Sequence, residues 1–595
     1  MSFLKAMFAS LLGTLLALLL ITLFFIVIIS AFGDQKILVE ENSVLHITLD
    51  EPLAEREMES DLNFDPIMGT TESKIGLNLF IDNLRRAQSD NNIKGIFLEM
   101  GNVSGAPSSM LDVHNAISEF RNSGKWVVAY GEFFTQGAYF IASAANEVYM
   151  VPEGLLDWKG LNAEVMFFKK VLDKLEIEMQ IIRGRDNKFK SAVEPFMYEQ
   201  MSPENKKQVA TFIDDIWKVM LEKIASNRSV STADLNTWAD SLSMMNNQKA
   251  VDAHLLDGLI YKDEVYDMIE SKLGIADSVA GASTNMKFIS LSDYNSSNAE
   301  KRDTENASLS KGRIAIVYAV GDINSGEGND ESIGSDRIAA ALKKARTDEK
   351  VKAVVLRVNS PGGSALASDV IWRETELIKA SGKPFVVSMG DYAASGGYYI
   401  SCSADKIYAN ANTITGSIGV FGIVPNAQKF LDNKIGITVD RYETNPHADI
   451  YSGVKALDEK ELSTMQEMVD DIYDDFLKRV AIGRKMDPAQ VDSIGQGRVW
   501  SGEDAKNLGL VDEIGDLDDA VKAAASMAGL TEYTIKELPV MLDPLQEAIK
   551  AFTGGKETSV LTTVGEELGI PLEKLVELRK MKGIQARMPF ILRLN

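Results

Sequence analysis

The sequence feature that most constrains the fold is an internal repeat that takes up most of the chain. The stretch IKGIFLEM, which begins at Ile93, matches VKAVVLRV, which begins at Val351. Farther along, SGKWVVAYGEFFTQGAYFIASAANEVYM from Ser123 matches SGKPFVVSMGDYAASGGYYISCSADKIYA from Ser381. The two pairs occur in the same order in both halves, which indicates that one domain was duplicated.

Each half alternates short runs of Val and Ile with segments of helical apolar spacing. This alternation predicts an α/β fold in which βα units build parallel sheets. The stretch between the halves is rich in Ser, Asn, Asp and Thr, as linkers and surface loops are. The domain limits that follow are a membrane anchor in 1–40, a first repeat in 41–275, a linker in 276–311, a second repeat in 312–540 and a C-terminal amphipathic tail in 541–595.

Residues 6–33 carry no charge and are dominated by Leu, Ile and Phe. A helix needs about 20 apolar residues to cross a bilayer, whereas the apolar region of a signal peptide has about 7–15. The long run favours one uncleaved transmembrane helix, and a cleaved signal peptide is the alternative. Lys5 precedes the run, so the positive-inside rule places the N-terminus in the cytoplasm and the rest of the chain outside the membrane.

Composition excludes several classes of function. The chain has 62 Lys and Arg against 86 Asp and Glu, a net charge of −24, which argues against nucleic-acid binding. The single cysteine, Cys402, allows no intramolecular disulfide and lies in an apolar stretch typical of a core residue. The sequence has no CxxC, HExxH or acidic calcium-loop motif. We therefore predict no nucleic-acid partner, no metal and no cofactor.

One stretch of the second half, from Met389 to Cys402, has the residues of a nucleophile site. A buried strand leads into a turn made of small residues, and Ser395 stands where a helix would begin. Unpaired N–H groups at a helix N-terminus favour developing negative charge. From these residues alone, Ser395 is either a nucleophile or a serine that caps the helix.

The two halves differ at polar positions. Gln136 of the first half stands opposite Ser395. The second half has NSPGGS after its strand, with the pair Gly362 and Gly363, where the first half has GNVSGA. A Gly-Gly pair after a strand can aim N–H groups at an oxyanion, although a tight turn would also need glycines. The first half has therefore lost this set of groups.

A serine nucleophile needs a base, and the chain offers two kinds. Of the four histidines, His447 is the one we retain as a candidate. The other candidate is Lys190, in the first-half stretch RGRDNKFKSAVEPF, whose second-half counterpart has no lysine at that point. A lysine acts as a general base when burial lowers its pKa, whereas an exposed loop lysine would have no such role.

Taken together, four motifs resemble those of a known family. NSPGGS, MGDYAASGGYYIS and TGSIGVFG in the second half and KSAVEPF in the first are similar to motifs of the long, duplicated signal peptide peptidases of the SppA type, in peptidase family S49. The resemblance implies a ClpP/crotonase-like fold and a Ser/Lys peptidase. The resemblance implies Ser395 as the nucleophile and Lys190 as the general base. It implies two oxyanion donors, Gly363 (with Gly362 beside it) and the amide of Gly396. It also implies that Ser417 orients the lysine amine.

The resemblance also implies partners and a location. We expect apolar, extended peptides such as signal-peptide remnants as substrates. We also expect a homotetramer at the bacterial cytoplasmic membrane, with its sites on the periplasmic side. Two other functions remain open: an inactive membrane scaffold on the same fold, and a crotonase-like acyl-CoA enzyme, which an export anchor argues against.

The tail has a basic cluster that stands out in an acidic chain. It could bind anionic lipid headgroups, or it could form an amphipathic helix and a terminal strand that dock on the protein. The basic residues are Arg579, Lys580, Lys582 and Arg587.

Overall fold

The computed structural model describes residues 37–56, 75–275, 286–298, 312–541 and 584–588, together with a few single positions between 13 and 20. The predicted anchor in 6–33 lies outside these ranges, apart from the single positions. Among the helices that are described, none combines the length and the apolar character that crossing a bilayer requires.

The first half is built on a six-stranded sheet in which every pair of neighbours is parallel. This confirms the parallel α/β architecture that the sequence predicts for this half. The strands, in order across the sheet, are Gly258–Leu259, Glu147–Leu156, Trp126–Phe134, Ile93–Met100, Ser43–Leu49 and Lys287–Ser290.

The second half repeats this arrangement in an eight-stranded sheet, parallel except at one pair of strands. The path across it is Val499–Ser501, Ile414–Gly416, Phe385–Ala394, Val351–Ser360, Arg313–Val320 and Thr534–Leu538, while Lys406–Ala409 pairs with Phe385–Ala394 and with Glu513–Ile514. Strands that match in sequence therefore occupy matching places in the two sheets.

The structure has a strand inside the predicted linker 276–311, and this correspondence explains it. Lys287–Ser290, within that range, pairs in parallel with Ser43–Leu49 as an edge strand of the first sheet. It takes the place that Thr534–Leu538 takes in the second sheet. The strand is short, with two apolar residues in a polar stretch, so composition alone assigned it to a connecting loop.

Helices cover both faces of the sheets. Those of the first half are Leu77–Ser89, Pro107–Asn122, Gln136–Ala142, Lys169–Leu175, Glu194–Met197, Pro203–Arg228, Thr232–Ser241, Asn247–Asp252 and Lys262–Leu273. Those of the second half are Ser335–Thr347, Ala365–Ala380, Gly396–Tyr399, Glu459–Arg484, Pro488–Ile494, Gly502–Asn507 and Leu517–Met527. The two 26-residue helices of the set are matching elements of the repeat.

A third sheet joins the halves. Its strands, in order, are Gly328–Asn329, Ser332–Gly334, Asp322–Asn324, Gly362–Ser364, Ile584–Arg587, Phe421–Asn426 and Glu178–Arg183. The last of these belongs to the first half and pairs antiparallel with Phe421–Asn426 of the second. Because Lys190 follows Glu178–Arg183 by a few residues, this pairing carries the lysine to the second half.

A buried polar network also connects the halves. Arg357 of the second half holds Glu55 of the first through two hydrogen bonds, of 2.9 and 3.1 Å. Asn359 donates to both Glu55 and Asp391, and Ser109 of the first half donates to Asp391 through its backbone and its hydroxyl. Since Asp391 lies in the strand that leads to Ser395, the network fixes that strand against the first half.

Candidate active site

The turn that carries Ser395 has a strained backbone. The strand Phe385–Ala394 is buried along its whole length and ends at Ser395, which has φ 55° and ψ −112°. A serine with positive φ persists only where its surroundings impose it. The Ser395 N–H donates to the Gly416 carbonyl at 2.8 Å, and its carbonyl accepts from Tyr399 N–H at 2.8 Å. These two hydrogen bonds fix the turn, so that the Ser395 hydroxyl is held just beyond the end of the strand Phe385–Ala394.

Lys190 meets this hydroxyl across the boundary between the halves. Its Nζ lies 2.8 Å from Ser395 Oγ, 3.0 Å from the Ser417 carbonyl and 3.0 Å from Ser417 Oγ. All three residues have no exposed surface. The structure therefore brings together the serine, the lysine and the second serine that the resemblance implied.

Burial lowers the pKa of the Lys190 amine well below its usual 10.5. Desolvation disfavours the charged form, and neither residue in contact with Nζ carries a carboxylate. A neutral amine has two hydrogens and one lone pair. The hydrogens match the two Ser417 oxygens, which leaves the lone pair to accept the hydroxyl proton of Ser395.

The glycines of the predicted oxyanion site have different roles. Gly362 has φ 101°, and its N–H already donates to Ser360 Oγ at 3.1 Å. A Cβ on Gly362 would lie 2.8 Å from the Gly396 nitrogen, and one on Gly396 would lie 3.2 Å from the Gly363 nitrogen. The amides of Gly363 and Gly396 therefore converge, while Gly362 contributes its conformation and its lack of a side chain.

Gly497 is a residue of this site that sequence reasoning missed. It has φ 78°, and a Cβ there would lie 2.5 Å from the Cβ of Lys190 and 2.6 Å from its nitrogen. The residues on either side of Gly497 also hydrogen-bond to the segments that carry the site. Phe189, which precedes Lys190, donates its N–H to the Gln496 carbonyl, and Ser417 donates its N–H to the Arg498 carbonyl. No motif marks Gly497, because its partner is about 300 residues away in the sequence.

Comparison with known proteins gives the family. The model of peptidase family S49 matches residues 119–276 and 378–531. The first match includes Lys190, and the second includes Ser395 and Ser417.

The chain belongs to peptidase family S49. This S49 chain is 38% identical over 514 residues to Protease 4 of Salmonella typhi, covering 84% of this chain and 80% of that protein. It is 32% identical over 296 residues to a putative signal peptide peptidase SppA of Enterococcus faecium, covering 49% of this chain and 85% of that one. Among solved structures, a ClpP1 mutant of Listeria monocytogenes is 17% identical and covers 38% of this chain and 98% of that one, with a TM-score of 0.23.

In this S49 chain the first half holds a different group at the nucleophile position. Gln136 begins the helix that corresponds to the one after Ser395. Its side-chain oxygen accepts from the backbone N–H groups of Lys159 and Gly160 at 3.1 and 2.8 Å. The residue that replaces the serine is therefore a structural support for a neighbouring loop.

His447, the other candidate base, lies in a different environment. Its Nδ1 is 3.1 Å from a Glu461 oxygen and 3.5 Å from an Asp458 oxygen, and its side chain is partly exposed. These three residues could converge on a metal ion, but the Lys455 amine already binds Glu461 at 3.1 Å. None of these contacts of His447 is with Ser395. The group that lies next to the Ser395 hydroxyl is the Lys190 amine.

Proposed function

We propose that this chain is a serine endopeptidase whose catalytic groups are Ser395 of the second half and Lys190 of the first. The observation that carries the proposal is the 2.8 Å separation of the buried Lys190 amine and the Ser395 hydroxyl. Membership of peptidase family S49 supplies the reaction class. Each half contributes one group, so neither half would be active alone.

The mechanism follows from these positions. The neutral amine of Lys190 takes the proton of Ser395 as the serine oxygen attacks a peptide carbonyl, and a tetrahedral intermediate forms. The lysinium protonates the leaving amine as the C–N bond breaks, which leaves an ester to Ser395. A water molecule, deprotonated by Lys190, then attacks the ester, and the lysinium returns the proton to Ser395 Oγ as the ester bond breaks. Ser417 holds the amine through two hydrogen bonds during both proton transfers.

The N–H groups of Gly363 and Gly396 would stabilise the tetrahedral oxyanion. Loss of one such donor in other acyl-transfer enzymes costs about 3–4 kcal/mol of transition-state stabilisation. The charge on Lys190 develops in a site without solvent exposure, where the attraction between lysinium and oxyanion is stronger than in water.

For substrates we propose apolar, extended peptides, including the remnants of cleaved signal peptides. One relative is named a putative signal peptide peptidase. We further propose a ClpP/crotonase-like fold for each half, an anchor in 6–33, a periplasmic location at the inner membrane and a homotetramer. The uncharged run supports the anchor in 6–33, and the family resemblance supports the fold, the location and the homotetramer.

Hydrolysis of a quenched fluorescent apolar peptide tests the proposal. Ser395→Ala and Lys190→Ala should each abolish turnover, and unchanged thermal unfolding would show that both variants are folded. Lys188→Ala is the matched control, because Lys188 is an exposed lysine two residues away. Full activity of Lys190→Ala would refute the dyad. Absence of turnover and of Ser395 acylation in the unmodified chain would favour the scaffold, and binding of coenzyme A would favour an acyl-CoA enzyme.

A further inference from the structure

The segment that carries Lys190 lies outside the α-helices and strands of the fold. It runs from the end of Glu178–Arg183 to the short turn that begins at Ser191. The Lys190 N–H donates to the Asn187 carbonyl at 3.3 Å, which is long for a hydrogen bond. Because no strand ladder or helix fixes this segment, its position depends on side chains from neighbouring elements.

Gln208 is a side chain that contacts both neighbours of Lys190. It lies in the second turn of the 26-residue helix of the first half and is 1% exposed. Its Nε2 donates to the Phe189 carbonyl at 3.1 Å and to Ser191 Oγ at 2.7 Å, and it also lies 3.2 Å from Asn205 Oδ1. The Phe189 carbonyl belongs to the planar peptide unit between Phe189 and Lys190. This hydrogen bond therefore restrains the plane from which the lysine side chain departs.

The orientation of the Gln208 amide is fixed by its other end. Gln208 Oε1 accepts from the Val499 N–H of the second half at 3.4 Å. The reverse orientation would place the amide N–H groups against that N–H and the amide oxygen against the Phe189 carbonyl, so the hydrogen bonds favour one arrangement. Val499 is the ladder partner of Gly416, which directly precedes Ser417. One side chain thus links the backbone beside the lysine to the strand beside Ser417.

Both halves hold the residue before the lysine. Phe189 N–H donates to the Gln496 carbonyl of the second half at 3.0 Å, and the Phe189 carbonyl accepts from Gln208 of the first. The close contact at Gly497 limits how near Lys190 can come, but a steric limit does not fix the rotation of a peptide. A rotated peptide would displace the amine at the far end of the side chain, where catalytic groups need to be placed within about 0.5 Å.

We propose that Gln208 is a positioning residue for the reaction, whose amide sets the Phe189–Lys190 peptide so that the lysine amine meets the Ser395 hydroxyl. The inference rests on the proposed function, since this placement matters only if Lys190 is the base. Within the described part of the chain, the hydrogen-bond partners of Gln208 include neither Ser395 nor the Lys190 amine. Gln208 therefore acts through the backbone of the lysine segment.

Steady-state hydrolysis of the fluorescent apolar peptide by the full chain with Gln208→Met tests the proposal. Methionine has a side chain of similar length but donates no hydrogen bond, so kcat should fall about tenfold or more with little change in KM. The control is Asp215→Ala. Asp215, two turns along the same helix, accepts from Ser501 Oγ at 2.7 Å, a contact with the strand rather than with the lysine segment. The control should unfold at a lower urea concentration and keep the parent kcat. Equal kcat values in Gln208→Met and the parent chain would overturn the proposal.

The pH dependence of Ser395 acylation separates positioning from a loss of stability. An amine displaced from its fully buried position is better hydrated, so the apparent pKa of acylation should rise in Gln208→Met. Gln208→Glu keeps the shape of the side chain and serves if the methionine variant does not fold. Its ionised carboxylate cannot donate to the Phe189 carbonyl, and its charge favours the lysinium, so the apparent pKa should rise here too. A fall in kcat with the parent's apparent pKa in both variants would show a merely structural role and would overturn the proposal.

Lys190→Ala, assayed beside these variants, separates this inference from the proposed function. An inactive Lys190→Ala together with parent-like Gln208→Met and Gln208→Glu would overturn the positioning role and leave the proposed function intact. A fully active Lys190→Ala would refute the proposed function and the role of Gln208 with it.

Discussion

Replacement of Gly497 by alanine tests how closely the two halves must approach at the site. The added Cβ would stand 2.5–2.7 Å from the nitrogen, Cα and Cβ of Lys190. Alanine at φ 78° costs about 1–2 kcal/mol, and a backbone overlap of this kind adds about 1–3 kcal/mol. Relief of the overlap requires Lys190 to move, and a displacement of about 1 Å in a catalytic group can lower the rate about 100-fold.

The control for Gly497→Ala is Gly436→Ala. Gly436 also has φ 78°, but nothing lies within 4 Å of the place where its Cβ would stand. Urea unfolding should therefore show Gly497→Ala to be less stable than Gly436→Ala by about 1–3 kcal/mol, and kcat/KM on the fluorescent peptide should fall only in Gly497→Ala. If both variants had the same stability and activity, the close contact with Lys190 would have no consequence and the reasoning would be refuted.

Three further predictions follow from the same contacts. Ser417→Ala removes one of the two oxygens that hold the Lys190 amine; we expect kcat to fall about tenfold or more with little change in KM, measured by steady-state kinetics. Lys190→Met should raise the urea midpoint at pH 7, because the lysine pKa is lowered in the folded chain and the unfolded chain binds the extra proton. That gain should shrink as the pH rises towards 10.5, where the unfolded lysine also loses its proton; a gain that is independent of pH would contradict the assigned pKa. Glu55→Ala should destabilise the chain by about 3 kcal/mol or more in the same assay, since it leaves Arg357 buried without its bidentate partner; a loss below about 1 kcal/mol would show that the pair is dispensable.

The architecture could be predicted from the sequence because the repeat carries it. Matching strands such as Ile93–Met100 and Val351–Ser360 take matching places in the two parallel sheets. The apolar runs that form them are buried, and burial on both faces leaves a continuous Val/Ile signal in the sequence. The edge strand Lys287–Ser290 has no such signal, because one side of an edge strand has no neighbour and the element is short.

The candidate site could be predicted in part. The complementary divergence of the halves, together with the family motifs, pointed to Ser395 and Lys190, and the structure places their functional atoms in contact. The contribution of Gly497 could not be predicted, because a close approach between distant backbones leaves only a glycine in the sequence. The pairing of Ile584–Arg587 with Gly362–Ser364 joins segments far apart in the chain, which residue periodicity does not encode.

The central claim is that a neutral Lys190 deprotonates Ser395, and the pH dependence of Ser395 acylation tests it most directly. An activated ester can be used as the probe, with the acylated residue identified by mass spectrometry. We predict that the rate rises with pH through an apparent pKa well below 10.5, because the amine must lose its proton to act as the base. Lys190→Ala should lower the rate about 100-fold or more and abolish this dependence. Acylation of Ser395 at an undiminished rate in Lys190→Ala, with the same pH profile, would contradict the account.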